Sequence, residues 1–208
     1  MLRCEMIATL DKVGVKELQA FDVGGGAAQT KGKRIIAFSI GIVNSDPEFE
    51  IIKRKDLLLP KGHENWKKDM RRDLFRDKYG YIKDVLENQD VTNLAWGVSS
   101  DFKFLNDTTD FFNLSPIDMK SIDVQRIYRH LTQRKASEFG ISLAGAAEAF
   151  DLRELHNAKK SSIRDSELTL RIFEEICKHH GASSQEILNS PAAHPYHSLD
   201  FEKSSRFW

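Results

Sequence analysis

The sequence predicts an α/β domain built on a mixed five-stranded sheet with helices on both faces. Three observations predict it. Hairpin-linked apolar runs open the chain, later apolar runs alternate with helical stretches, and the last long segment repeats its apolar residues at helical spacing.

Residues 18–23 (LQAFDV) form the first strand signal, closed by Gly24, Gly25 and Gly26 as a sharp turn or a close backbone approach. Residues 34–44 (RIIAFSIGIVN) read as a buried strand rich in Ile and Val. Asn44, Ser45, Asp46 and Pro47 then make a turn, and residues 49–59 return as a third strand. Residues 63–89 are charged and helical, with a break at Tyr79-Gly80-Tyr81, and their charges fit a solvated face. Residues 91–99 (VTNLAWGVS) are the fourth strand, and residues 101–113 follow as a helix carrying Phe102, Phe104, Leu105, Phe111 and Phe112. Residues 119–124 are a short fifth strand that runs into a helix through His130. Residues 142–150 make a further helix whose alanines permit close packing.

The last helix has the clearest pattern. Ile163, Leu170, Phe173 and Cys177 share one stripe, with Thr169, Ile172 and Ile176 beside it, and Gly181 ends it. Residues 1–182 are thus expected to form the domain and residues 183–208 an irregular tail.

With 208 residues the chain can bury one good core, and its 40% hydrophobic and 30% charged residues are ordinary for a globular protein. No apolar run is long enough to cross a bilayer, and the first residues lack the apolar centre of a signal peptide, so an intracellular location is expected. Cys4 and Cys177 lie far apart and are expected as reduced, buried thiols. The 31 basic and 31 acidic residues cancel, which argues against general coating of nucleic acid but not against a cleft that grips one strand end.

Three carboxylates stand where this architecture can bring them together. Asp22 ends the first strand, Asp101 follows the fourth, and Asp165 lies in the first turn of the last helix, on its sheet-facing side. Convergent carboxylates suit Mg²⁺, which prefers oxygen ligands, and paired ions can activate water against a phosphodiester.

LQAFDVGGG followed by RIIAFSIGIV resembles the first motif and second strand of the DEDD (DEDDh, DnaQ-like) 3′–5′ exonucleases, which have an RNase H-like fold. LAWGVSSDFKFLN resembles their second motif, and SIDVQRIYRHL the stretch after it. SLAGAAEAFDL, His156 and RDSELTLRIF resemble the third motif of the DEDDh branch. The resemblance implies that Asp22, Asp101 and Asp165 hold Mg²⁺ or Mn²⁺ and that His156 is the general base, a role suited to a side chain titrating near neutrality.

Two departures bear on activity. The family's first motif is Asp-x-Glu, and here Gly24 stands at the glutamate position. Eight residues separate His156 from Asp165, four more than the family pattern, so Lys160 occupies the expected His position. An insertion of about one helical turn would still let His156 reach the site from a loop.

Each candidate also has a structural reading: Asp22 as cap of the glycine turn, Ser100 or Asp101 as N-cap of the helix that follows, Asp165 within a capping box with Ser162, His156 as a surface His. Asp123 reads as structural. Cys177, His179, His180, His194 and His197 match no standard zinc module. The glycine-rich run to Lys33 fails as a phosphate-binding loop because Arg34 and a strand follow it.

Two functions follow from the resemblance. One is a divalent-metal-dependent 3′–5′ exonuclease on single-stranded DNA or RNA, impaired by Gly24. The other is a catalytically inactive exonuclease-like domain that binds single-stranded nucleic acid or a protein partner; neither involves a membrane.

Overall fold

The computed structural model describes residues 14–27, 35–58, 68–132 and 142–201. Cys4, Arg34, Leu59 and the stretch 63–67 lie outside the described residues. The strands are β1 (Leu18–Ala27), β2 (Ile35–Ser45), β3 (Ile51–Asp56), β4 (Thr92–Ala95), β5 (Lys120–Asp123) and β6 (Pro195–His197). The helices are α1 (Lys68–Asp77), α2 (Tyr79–Leu86), α3 (Ser99–Phe111), α4 (Val124–Leu131), α5 (Leu143–Ala149), α6 (Arg153–Asn157), α7 (Ser162–His180) and α8 (Ser184–Leu188).

The sheet is mixed, as expected, but has six strands in the order β3-β2-β1-β4-β5-β6. The extra strand comes from the segment expected to be irregular: Tyr196 pairs antiparallel with Ser121 of β5, and α8 precedes it behind a Ser183–Glu186 capping box. The glycine run is also strand rather than turn. Gly25 and Gly26 pair with Ala37 and Ile36 of β2, past a bulge between Gly24 and Gly25.

Helices cover both faces, as predicted. Alternation along β1 sends Leu18 and Ala20 into a core with α4, α5 and α7, and Phe21 and Val23 into a core with α2 and α3. On the first face α7 runs from an N-cap at Ser161, whose hydroxyl accepts from the Arg164 N–H, to a left-handed C-cap at Gly181 (φ 58°). Its stripe of Leu168, Ile172, Phe173 and Ile176 is buried. Cys177 sits in that core too, its thiol pushed up to about 12 by burial, which makes it a packing residue and a poor zinc ligand. No helix among the described residues is long and apolar enough to cross a membrane.

At Gly41 the first turn of α7 meets the sheet backbone to backbone. A Cβ on Gly41 of β2 would fall inside the backbone of Ser162 and Ile163, so this glycine is what lets the first turn of α7 rest on the strand. The Ser166 hydroxyl fastens the contact by donating to the Gly41 carbonyl (2.9 Å).

On the other face a buried amide ladder crosses the sheet. Asn44 Nδ2 donates to Gln19 Oε1 (3.1 Å), Gln19 Nε2 donates to Asn93 Oδ1 (2.8 Å), and Asn93 Nδ2 reaches the carbonyls of Leu86 and Lys120. These bonds tie β2, β1 and β4 to the end of α2. Replacing Asn93 by Ala strands several buried polar groups, so urea unfolding should show a loss of about 2 kcal/mol. A change within experimental error would mean that water replaces the amide.

Candidate functional site

Asp22 lies within β1, opposite Gly41, on the face covered by α7. It is not a turn cap. Alternation places Gly24 on the same face, with Ser39 and Gly41 of β2 beside them. The first turn of α7 closes over this patch, and the Ser162 hydroxyl lies 2.5 Å from that of Ser39. Ser162 also hydrogen-bonds the Asp22 carboxylate. One proton assignment satisfies all three groups: Ser39 donates to Ser162, and Ser162 donates to Asp22.

Asp101 enters from the α3 side. It is not the N-cap of α3, because the helix already begins at Ser99 behind Val98. The parallel pairing of β1 with β4 ends at Ala20 and Leu94, which leaves the Val23 N–H without a strand partner on that side. Asp101 Oδ1 accepts that N–H at 2.8 Å. Burial, and then the charge on Asp22, push Asp101 well above the ordinary carboxylate range. Burial likewise raises Asp22 to about 6, with the Asp165 charge adding to it, while Ser162, Lys160 and Arg164 pull the other way. Asp22 is thus close enough to Asp101 and to Asp165 for its charge to oppose each of theirs.

Asp165 does not complete a capping box with Ser162, since Ser161 holds the N-cap. Its Oδ1 accepts both Nε (2.9 Å) and Nη2 of Arg164. Arg164 is anchored in turn, donating from Nη1 to the carbonyl of His156 (2.6 Å). His156 itself belongs to α6 rather than to a loop. It lines a depression with Ser142, Glu148 and Arg153 into which none of the three aspartates faces. Asp123 is structural: its Oδ1 accepts from Gly97, Gln125 and Arg126, capping α4.

Ser39, Ser162 and Arg164 were not anticipated as part of this site. A faint signal exists for Ser39, a hydroxyl two residues from Gly41 in an otherwise apolar strand, which must face the same side as Asp22.

Solved nucleases share this fold. A 3′-exonuclease solved in 3′-end specific recognition of histone mRNA stem-loop superposes with TM-score 0.56 at 13% identity, over 81% of this chain and 84% of that one. The nuclease domain of 3′hExo, a DEDDh family member bound to rAMP, gives 0.55 at 13% identity, over 79% of this chain and 93% of that one. The fold is that of the DEDDh 3′-exonucleases. Cell-death related nuclease 4 (CRN-4) shares it at TM-score 0.56 and 13% identity, over 82% of this chain and 66% of that one. No protein-family model matches the sequence, and no curated protein does.

On this scaffold two features work against a bound divalent cation. A Cβ at Gly24 would fall well inside contact distance of Ser39 Oγ and lie 3.1 Å from Ser162 Oγ, so the place of the missing glutamate is filled by hydroxyls. Asp165 gives one of its two carboxylate oxygens to Arg164. Among the described residues no three His, Cys, Asp or Glu side chains are grouped to hold a metal ion.

Proposed function

We propose that this chain is a catalytically inactive exonuclease-like domain that binds single-stranded nucleic acid. The observation that carries this reading is the hydroxyl pair Ser39–Ser162, which fills the space a glutamate at position 24 would need. Cations add to it: Arg164 holds Asp165, and Lys160, at the family's His position, acts electrostatically on Asp22. The fold supports binding of a strand, because the solved neighbours were captured with a histone mRNA stem-loop and with rAMP.

One observation favours the second reading, a metal-dependent 3′–5′ exonuclease working through Asp22, Asp101 and Asp165. Asp22 remains within electrostatic reach of both Asp101 and Asp165. For cleavage Asp165 would have to hold its cation through Oδ2, or Arg164 would have to release Oδ1.

Incubation of 5′-labelled single-stranded RNA and DNA with Mg²⁺ or Mn²⁺, beside an Asp101→Asn control, decides between them. The expected result is no shortening with either metal. A ladder receding from the 3′ end, lost in the control, would establish the exonuclease instead.

A further inference from the structure

A basic surface flanks the carboxylate site where β5 ends. Asp123 closes the strand, α4 begins at once, and Arg126, Arg129 and His130 follow on one side of it at spacings of three and four residues. β6, paired along β5, brings Tyr196 against them. Asp123, Arg126, Arg129, His130 and Tyr196 together line a depression of about 360 Å³.

The arginines there are held open. Arg126 Nη1 donates to the Tyr196 hydroxyl (3.0 Å), and its guanidinium lies 5.7 Å from the centre of that ring, which fixes its direction. Among the described residues neither Arg126 nor Arg129 forms an ion pair with a carboxylate. Asp123, the one acid in the depression, already accepts from three backbone N–H groups. Two guanidiniums and an imidazole facing one hollow suit an anion with several acceptor oxygens, and the guanidinium fork matches phosphate.

Position decides which phosphate. The hollow lies at the carboxyl end of β5, and the Asp123 charge acts on Asp101, so the two sites are neighbours. Ligands of open α/β sheets collect at these strand ends. A chain of phosphates can span both sites, whereas a single phosphorylated side chain would use only one.

We propose that this hollow is a phosphate subsite gripping the backbone of a single-stranded nucleic acid beside the carboxylate site, with Tyr196 as a positioning residue for Arg126. This rests on the reading that the domain binds such strands. The test is fluorescence anisotropy of the full chain with fluorescein-labelled RNA and DNA of about 12 nucleotides, in EDTA and over a salt series. Replacing Arg126 and Arg129 together by Ala should weaken binding about tenfold or more. It should also flatten the slope of log Kd against log salt by about 1.4, or 0.7 for each phosphate no longer neutralised. Tyr196→Phe should weaken binding less and leave that slope nearly unchanged. Lys53→Ala with Lys55→Ala removes the same charge from β3 and should stay within about twofold. Arg129→Gln alone, which leaves the Arg126–Tyr196 pair intact, should still cost severalfold.

If the chain binds strands and the arginine variants bind equally well, the subsite is wrong while the binding reading stands. Equal losses from the β3 lysines would show a diffuse charge effect and also overturn the subsite. If the unaltered chain binds neither RNA nor DNA, both fail; capture of a phosphoserine peptide through the same arginines would then reassign the hollow to a protein ligand.

Discussion

Gly24→Glu is expected to destabilise the domain by about 3 kcal/mol and to restore no trimming of a labelled strand. The reason is space. The new Cβ meets the Ser39 hydroxyl head-on and crowds that of Ser162, so these must rotate away and give up the bond between them. Ser39 is set in a central strand, and Ser162 is fixed by the contact of α7 with Gly41. The added carboxylate would also stand beside Asp22 and Asp101, two acids that already oppose each other. In a background with Ser39→Ala and Ser162→Ala the same substitution should cost at least about 1 kcal/mol less, a coupling that urea unfolding can resolve. A Gly24→Glu protein as stable as the parent would show that the hydroxyl pair leaves room after all.

Asp22→Asn should stabilise the protein at neutral pH by about 3 kcal/mol and flatten its stability between pH 4 and 6. Burial raises the Asp22 carboxyl from 3.8 to about 6 in the folded chain. Across that window the folded protein keeps a proton that the unfolded chain has released, so stability falls as pH rises through it. Below the window both states are protonated and nothing is lost; above it the full cost is present. The asparagine removes the titrating charge and leaves an amide able to accept from Ser162. Unfolding in EDTA at a series of pH values measures this. A variant less stable than the parent at pH 7 would mean that a charged Asp22 is held by stronger partners than Ser162, Lys160 and Arg164.

Much of the scaffold is legible in the sequence because its signals are local. The Ile and Val run of residues 35–43 and the apolar stripe of α7 need only periodicity, and Gly181 ends its helix through a backbone preference of its own. The rest depends on partners distant in the chain. β6 is three residues long and begins with Pro195, so it has no pattern of its own and exists only through its pairing with β5. Gly25 and Gly26 look like a turn until β2 lies beside them. The candidate site divides in the same way. Asp22 and Asp101 stand out as acids beside strands, and the structure brings their charges together. What surrounds them is less visible: Ser39 and Ser162 are 123 residues apart, and nothing local marks them as neighbours. Arg164 next to Asp165 looks like an ordinary surface pair until the His156 carbonyl is seen to anchor it.

The two outer strands have a consequence for behaviour at high concentration. An open sheet invites another chain to dock along its margin and is a common route to aggregates. Here one margin is β3, with Lys53, Arg54 and Lys55 in succession and largely exposed, so an incoming copy would meet its own charge. The other is β6, too short for a ladder and opened by a proline without an N–H to offer. Each margin turns away a further strand by a different means, one by repulsion and one by want of donors. A domain guarded in this way is expected to stay unaggregated at high protein concentration.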